Sequence, residues 1–391
     1  MGFIMRKELN KLPQNRFAYL DNVRSFVIFI VVAQHSAVTY SGFGDWFYVE
    51  GSPDNLSVFG SAFFGLIQSL NQAWMMGALF FISAYLTTKA LVRHGTLEFI
   101  KERLFRLGLP LLLFIFIVTP FILFVLLGSH PGLGDFTENS LLENYMQFLT
   151  KFWWLRATGP LWYVQVLLIF CFIYIIIKKC FPKPYSIKGI SNTAIVFTII
   201  ITGISAFLIR LVLPIGTNVL NLQLCYFASY IVMFIAGILI GENDLIDDIT
   251  SEKNITWLKL SLIIGIPIWA LLMLFGGALE GETYFNGGFN WQSFIFALWE
   301  ALIAIGFSIG IIALFKKKAN FNNKLTRLVK DNAFGLYFFH APIMVAISLS
   351  LIKLVLNPIM KFIVVLIAAF IVTLLFSYLL RKIKPIKILL K

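Results

Sequence analysis

Apolar residues along this chain fall into long blocks separated by short polar or basic segments. A membrane-spanning helix needs roughly 20 mostly apolar residues. Ten stretches qualify: 23–43, 71–91, 107–128, 159–178, 192–214, 223–241, 257–276, 291–315, 333–352 and 359–380. The second is the weakest, because its strongly apolar part is short. The segment before it, 56–70, reads either as an interfacial helix or as part of a broken span. The pattern predicts an all-α polytopic membrane protein with about 10 transmembrane helices, residues 1–391 forming one membrane-embedded domain. The loops at 44–70, 129–158, 215–222, 277–290 and 353–358 are too short for a separate folded domain. No inverted-repeat signature of the transporter kind is evident.

Composition agrees with the pattern. Of the 391 residues 59% are hydrophobic and 13% charged, with a mean hydropathy of +0.86, against nearer half and a quarter in soluble domains. The net charge of +13 would suit nucleic acid, but its placement argues against that partner. With the N-terminus in the cytosol, all 32 Lys and Arg except Lys151, Arg156, Arg210, Lys353 and Lys361 fall in inner segments or at their edge. They include Arg6, Lys7, Lys11 and Arg16 at the start and Lys391 at the end. This bias predicts a cell-membrane (plasma or inner membrane) protein with both termini cytosolic. The acidic stretch 242–253 runs against the trend, but carboxylates carry little topogenic weight. No cleavable signal peptide is evident. Cys171, Cys180 and Cys225 lack metal-ligand spacing and read as small apolar residues; no metal site is expected.

Four groups and one single acid are candidates for chemistry. Arg24 and His35 lie on nearly one face of the first span, roughly 16 Å apart along its axis. Arg24 alone reads as a side chain snorkelling to lipid phosphate. An ionisable group as deep as His35 is costly and marks function by default, and a neutral imidazole is a good base near neutral pH. Arg103 and Arg106 stand at the mouth of the third span, as ordinary flanking charge or as a phosphate clamp. His340, with Tyr337 before it and Pro342 after, is either a packed histidine bonding a freed carbonyl or a reactive one. Trp162, Tyr163 and Gln165 in 159-GPLWYVQ-165 read as an aromatic belt or a sugar platform, and Trp46, Tyr48, Trp153 and Trp154 as belt. Glu300 is a buried acid whose partner, a His or Arg on another helix, the sequence does not choose. No GxSxG, HExxH, Walker or dinucleotide motif is present.

Five of these features occur in a familiar order: an Arg and a His in the first span, FFISAY at 80–85, an Arg-x-x-Arg before the third span, GPLWYVQ, and LYFFHAP at 336–342. The chain thereby resembles the membrane-bound acyltransferase-3 family over nearly its whole length, and LDNVRSF is similar to the family's glucan-biosynthesis branch. Ala84 stands where the family often has Gly. The resemblance implies an integral membrane O-acyltransferase, commonly an O-acetyltransferase. Such an enzyme moves an acyl group from cytosolic acyl-CoA to a hydroxyl of an extracytoplasmic glycan or glycolipid. It implies His35 as the catalytic base or transient acyl carrier, Arg24 as its partner, and Arg103 and Arg106 in donor binding. Tyr337, His340, Glu300, Trp162 and Gln165 are supporting candidates. Acetyl-CoA or another acyl-CoA enters as a substrate, with membrane lipid as the other partner and no permanently bound cofactor. The competing expectation is a proton-coupled transporter or flippase using His35, Glu300 and His340 as a relay.

Overall fold

A computed structural model describes residues 17–130 and 139–390. Arg6, Lys7, Lys11, Arg16 and Lys391 lie outside the described residues. Among the described residues, ten helices are long and apolar enough to cross a membrane: α1 Ala18–Ser41, α2 Val58–His94, α3 Thr96–Leu127, α4 Gly159–Cys180, α5 Asn192–Arg210, α6 Leu224–Glu242, α7 Glu252–Phe275, α8 Trp291–Lys318, α9 Lys324–Ser350 and α10 Pro358–Leu380. No strand occurs among the described residues, so the chain is an all-α polytopic membrane protein. All ten expected spans are present. The second is longer than expected: residues 58–70 are not broken off but form the first turns of one continuous 37-residue helix. The polar residue that weakens the apolar pattern there is satisfied inside the protein, as Gln68 Nε2 donates to Ser41 Oγ at 2.7 Å.

Local chemistry sets the helix ends. α1 stops at Ser41 because Gly42 takes a left-handed φ of 73°, the usual helix terminator. α10 starts at Pro358, whose missing N–H costs nothing in the first turn, and the Asn357 side chain caps it by accepting from Ile359 N at 2.9 Å. In α3, Pro110 and Pro120 each remove a helical donor, and the helix passes through π turns at Leu104–Gly108, Phe114–Val118 and Phe121–Leu127.

The chain divides into two compact units whose boundaries fall inside α1 to α4 and α9. The first comprises the segment ending at Arg24, Gln72–Lys101 and Ile169–Thr326. It holds the acidic stretch 242–253, whose carboxylates meet lysines from the ends of three spans. Glu242 pairs with Lys178 at 2.8 Å, Asp247 with Lys316 and Glu252 with Lys317 at 2.6 Å each, and Asp244 with Lys89. The stretch that ran against the charge trend thus has its counter-charge at hand. The second unit comprises Ser25–Asn71, Glu102–Leu168 and Arg327–Lys391. Its core packs Val32, Ala37 and Tyr40 of α1 and Phe64 of α2 against Met344 of α9 and Phe362, Val365 and Ala369 of α10. Ser36 Oγ adds a buried hydrogen bond to Phe362 O at 3.0 Å.

Candidate active site

The second unit brings two of the sequence candidates together. The His35 imidazole, six residues before the end of α1, lies 5.3 Å from that of His340 on α9, with the ring planes 22° apart. Trp46, from the segment that follows α1, stacks on His35 at 3.6 Å and 17°. It also lies 6.1 Å from His340. Trp46 is therefore not a belt residue, as its type had suggested. It covers a histidine, and its indole Nε1 is buried with no hydrogen-bond partner.

The two imidazoles are held differently. His340 is wholly buried, and its Nδ1 lies 2.8 Å from Tyr337 O. A carbonyl can only accept, so Nδ1 carries the proton and Nε2 keeps its lone pair. That Nε2 is buried and unpartnered. The expectation of a packed histidine bonding a carbonyl near a proline accounts for one nitrogen and leaves the other unused. His35 is half-buried. Its carbonyl accepts from Thr39 Oγ1 at 3.0 Å, while no protein group bonds its ring among the described residues.

A second motif fixes this arrangement. The Tyr337 hydroxyl donates to Pro160 O in a buried hydrogen bond, tying LYFFHAP to GPLWYVQ, and the Tyr163 ring packs edge-on to Tyr337 at 6.3 Å. The turn into α4 needs Gly159. Its φ is +47°, and a side chain there would come within 2.8 Å of Phe114 and 2.9 Å of Phe47. Tyr337 thus meets His340 through its carbonyl and Pro160 through its hydroxyl. Trp162 is half-buried in the first turn of α4. Gln165 sits one turn on with a buried Oε1 that has no partner.

The remaining candidates have local surroundings of their own. Arg24 is exposed and 3.6 Å from Asp21 on its own helix. Arg106 is exposed and bonds Glu102 at 3.2 Å, within the π turn, while Arg103 is half-buried. Glu300 has found its partner among the basic residues of the first unit. It is ion-paired with Arg210, both fully buried, with the Tyr226 and Phe296 rings 5.5 and 5.6 Å from the guanidinium.

Sequence reading missed Trp46 as a site residue, and with it Glu50 and Lys361. Lys361, in the first turn of α10, is 4% exposed and ion-paired with Glu50. A signal for the last pair did exist. Of the five basic residues that break the charge bias, Arg210 and Lys361 are the two that are buried, and each is ion-paired with a carboxylate.

A sequence-family model described as an acyltransferase domain matches residues 17–382. A curated relative, "Glucans biosynthesis protein C" of Salmonella gallinarum, is 27% identical over 176 residues, which is 45% of this chain and 42% of that protein. The chain thus aligns with less than half the length of this relative. No solved structure matches. The family match covers nearly the whole chain, including every residue of the histidine stack and both motifs that hold it, and the chain belongs to the acyltransferase-3 family of membrane acyltransferases.

Proposed function

We propose that this protein is a cell-membrane O-acyltransferase, with both termini cytosolic. It moves an acyl group, acetyl in the simplest case, from cytosolic acyl-CoA to a hydroxyl of an extracytoplasmic glycan or glycolipid. The observation that carries this reading is the His35–His340–Trp46 stack. It places two imidazoles side by side in membrane-spanning helices, one of them with a buried lone pair that no group among the described residues uses.

In this reading His35 takes the proton of the acceptor hydroxyl. The acceptor oxygen bonds to the thioester carbonyl carbon, the carbon–sulfur bond breaks, and the imidazolium returns the proton to the departing thiolate. The products are the acyl ester and free CoA. His340, its tautomer set by Tyr337 O, lies beside His35 as a neutral acceptor. Trp46 shields the pair from water, which would otherwise compete for the thioester. The arginines serve the donor. Arg103 and Arg106 at the start of α3 suit its phosphates, with Arg106 exchanging Glu102 for phosphate, and Arg24 stands three turns before His35. The relay reading loses Glu300, whose carboxylate is already held by Arg210.

The test is transfer of label from acetyl-labelled acetyl-CoA by purified protein in sealed proteoliposomes, with cell-envelope glycan trapped inside or added outside. Label reaching glycan only across the bilayer from the donor supports the reading. Proton-coupled glycan flux with no CoA release would replace it with the transporter.

A further inference from the structure

Between α1 and α2 the chain runs back over the Ser41 end of α1, and several ties hold it there. Glu50 N and Gly51 N both donate to Thr39 O, at 2.8 and 2.9 Å. The Tyr48 hydroxyl donates to Glu50 Oε2 at 3.1 Å, and Lys361 pairs with Glu50 Oε1. Burial, and after it the nearby Glu50 carboxylate, holds the Tyr48 phenol well above its ordinary value, so it stays a donor to Glu50 at alkaline pH. Among the described residues Lys361 has one hydrogen-bond partner, Glu50, for three N–H groups. Burying an ammonium costs several kcal/mol unless its donors are met.

Beside this pair lies a cavity of about 130 Å³, lined by Tyr40, Glu50, Ser52, Asn55, Leu356 and Lys361 among others. One water needs roughly 10–15 Å³, so the space suits a single ring-sized group. The lining narrows the chemistry. Lys361 and Glu50 cancel in charge, so an anion would face Glu50 and a cation would face Lys361. A wholly apolar ligand would leave the spare Lys361 donors and the Ser52 and Asn55 side chains dry and unpaired. What fits is a neutral group with hydroxyls on its edge and a C–H face to set against Tyr40 and Leu356.

We propose that this cavity is a subsite for the acceptor and holds one neutral sugar ring, with Lys361 and Asn55 donating to its hydroxyls and Glu50 accepting from them. The inference rests on the acyltransferase reading and deepens it. Tyr40 is about 7.5 Å of helix rise from His35, so a ring held here keeps the acceptor within reach of the histidine stack. Glu50 also lies on the same short segment as Trp46, so an occupant at Glu50 bears on the residue that covers His35.

The test needs no donor. Saturation-transfer NMR on the full chain in detergent, with millimolar methyl glycosides of glucose, galactose and N-acetylglucosamine as probes, should show binding of at least one. Lys361→Met and, independently, the surface substitution Asn55→Ala should each weaken it roughly tenfold, the loss of about one hydrogen bond to a charged or well-placed group. Absence of binding to any probe, equal binding by both variants, or tighter binding of glucose 1-phosphate would overturn the proposal. In turnover, Asn55→Ala should raise the KM for glycan more than the KM for acetyl-CoA; an equal change in both would make the site structural. Sugar binding that is lost in the variants, in a protein that releases no CoA at all, would uphold the subsite and sink the transferase reading instead.

Discussion

Arg210 and His340 are both wholly buried in apolar helices, and both keep nitrogen atoms without a hydrogen-bond partner. Their surroundings nevertheless suit different work. Arg210 has its charge matched by Glu300 and lies near two aromatic rings, and a guanidinium does not give up its proton in a protein. Its pairing neutralises a cost and offers no lone pair. His340 is fixed through one nitrogen by a carbonyl that can only accept, which leaves its other nitrogen as a base. Among the described residues, no protein group bonds the ring of His35 beside it. Burial of an ionisable group in a membrane span is therefore a weak guide to chemistry. Proton-accepting capacity that the fold leaves unused is a stronger one.

That contrast predicts different failures. Glu300→Ala leaves a buried, unpaired guanidinium and should cost about 3–5 kcal/mol of stability, read as loss of folded protein and a lower Tm in detergent. The double change Arg210→Met/Glu300→Leu should recover most of it, which would mark the pair as structural. Trp46→Ala removes a stacked ring worth about 0.5–1.5 kcal/mol. It should lower kcat roughly 2–10-fold and raise acceptor-free CoA release, while Trp46→Phe restores most of both. Tyr337→Phe deletes the hydrogen bond to Pro160 O, worth about 1 kcal/mol, and should lower kcat a few-fold with little change in either KM. Arg103→Gln and Arg106→Gln should instead raise the KM for acetyl-CoA more than they lower kcat; the reverse split would remove the phosphate clamp. Asp247→Asn, which breaks an exposed pair with Lys316, should shift stability by less than about 0.5 kcal/mol and leave activity alone.

Much of the fold was legible in the apolar pattern, because each span must satisfy its backbone internally and so carries its own signal. The start of α2 was not, because Gln68 lowers local hydropathy yet is bonded to Ser41 inside the protein, a contact between residues far apart in sequence. At the site, His35 and His340 stood out as polar exceptions in apolar helices. That they face one another did not, since helix pairing leaves no mark in either segment alone. Trp46 was misread because an indole at a helix end has the same local context in a belt as in a stack. Arg210 and Lys361 were visible as departures from the charge bias, and only the folded chain shows that Glu300 and Glu50 are the reason.

In the proposed mechanism the acyl transfer runs through His35. Its most direct test is the initial rate of CoA release from acetyl-CoA, with cell-envelope glycan as acceptor, by wild type, His35→Ala and His340→Ala, each confirmed folded by an unchanged Tm. The account predicts release by the wild type, a loss of about 10²–10⁴-fold in His35→Ala, and a smaller loss in His340→Ala. Equal release by wild type and His35→Ala would contradict it and move the chemistry off α1.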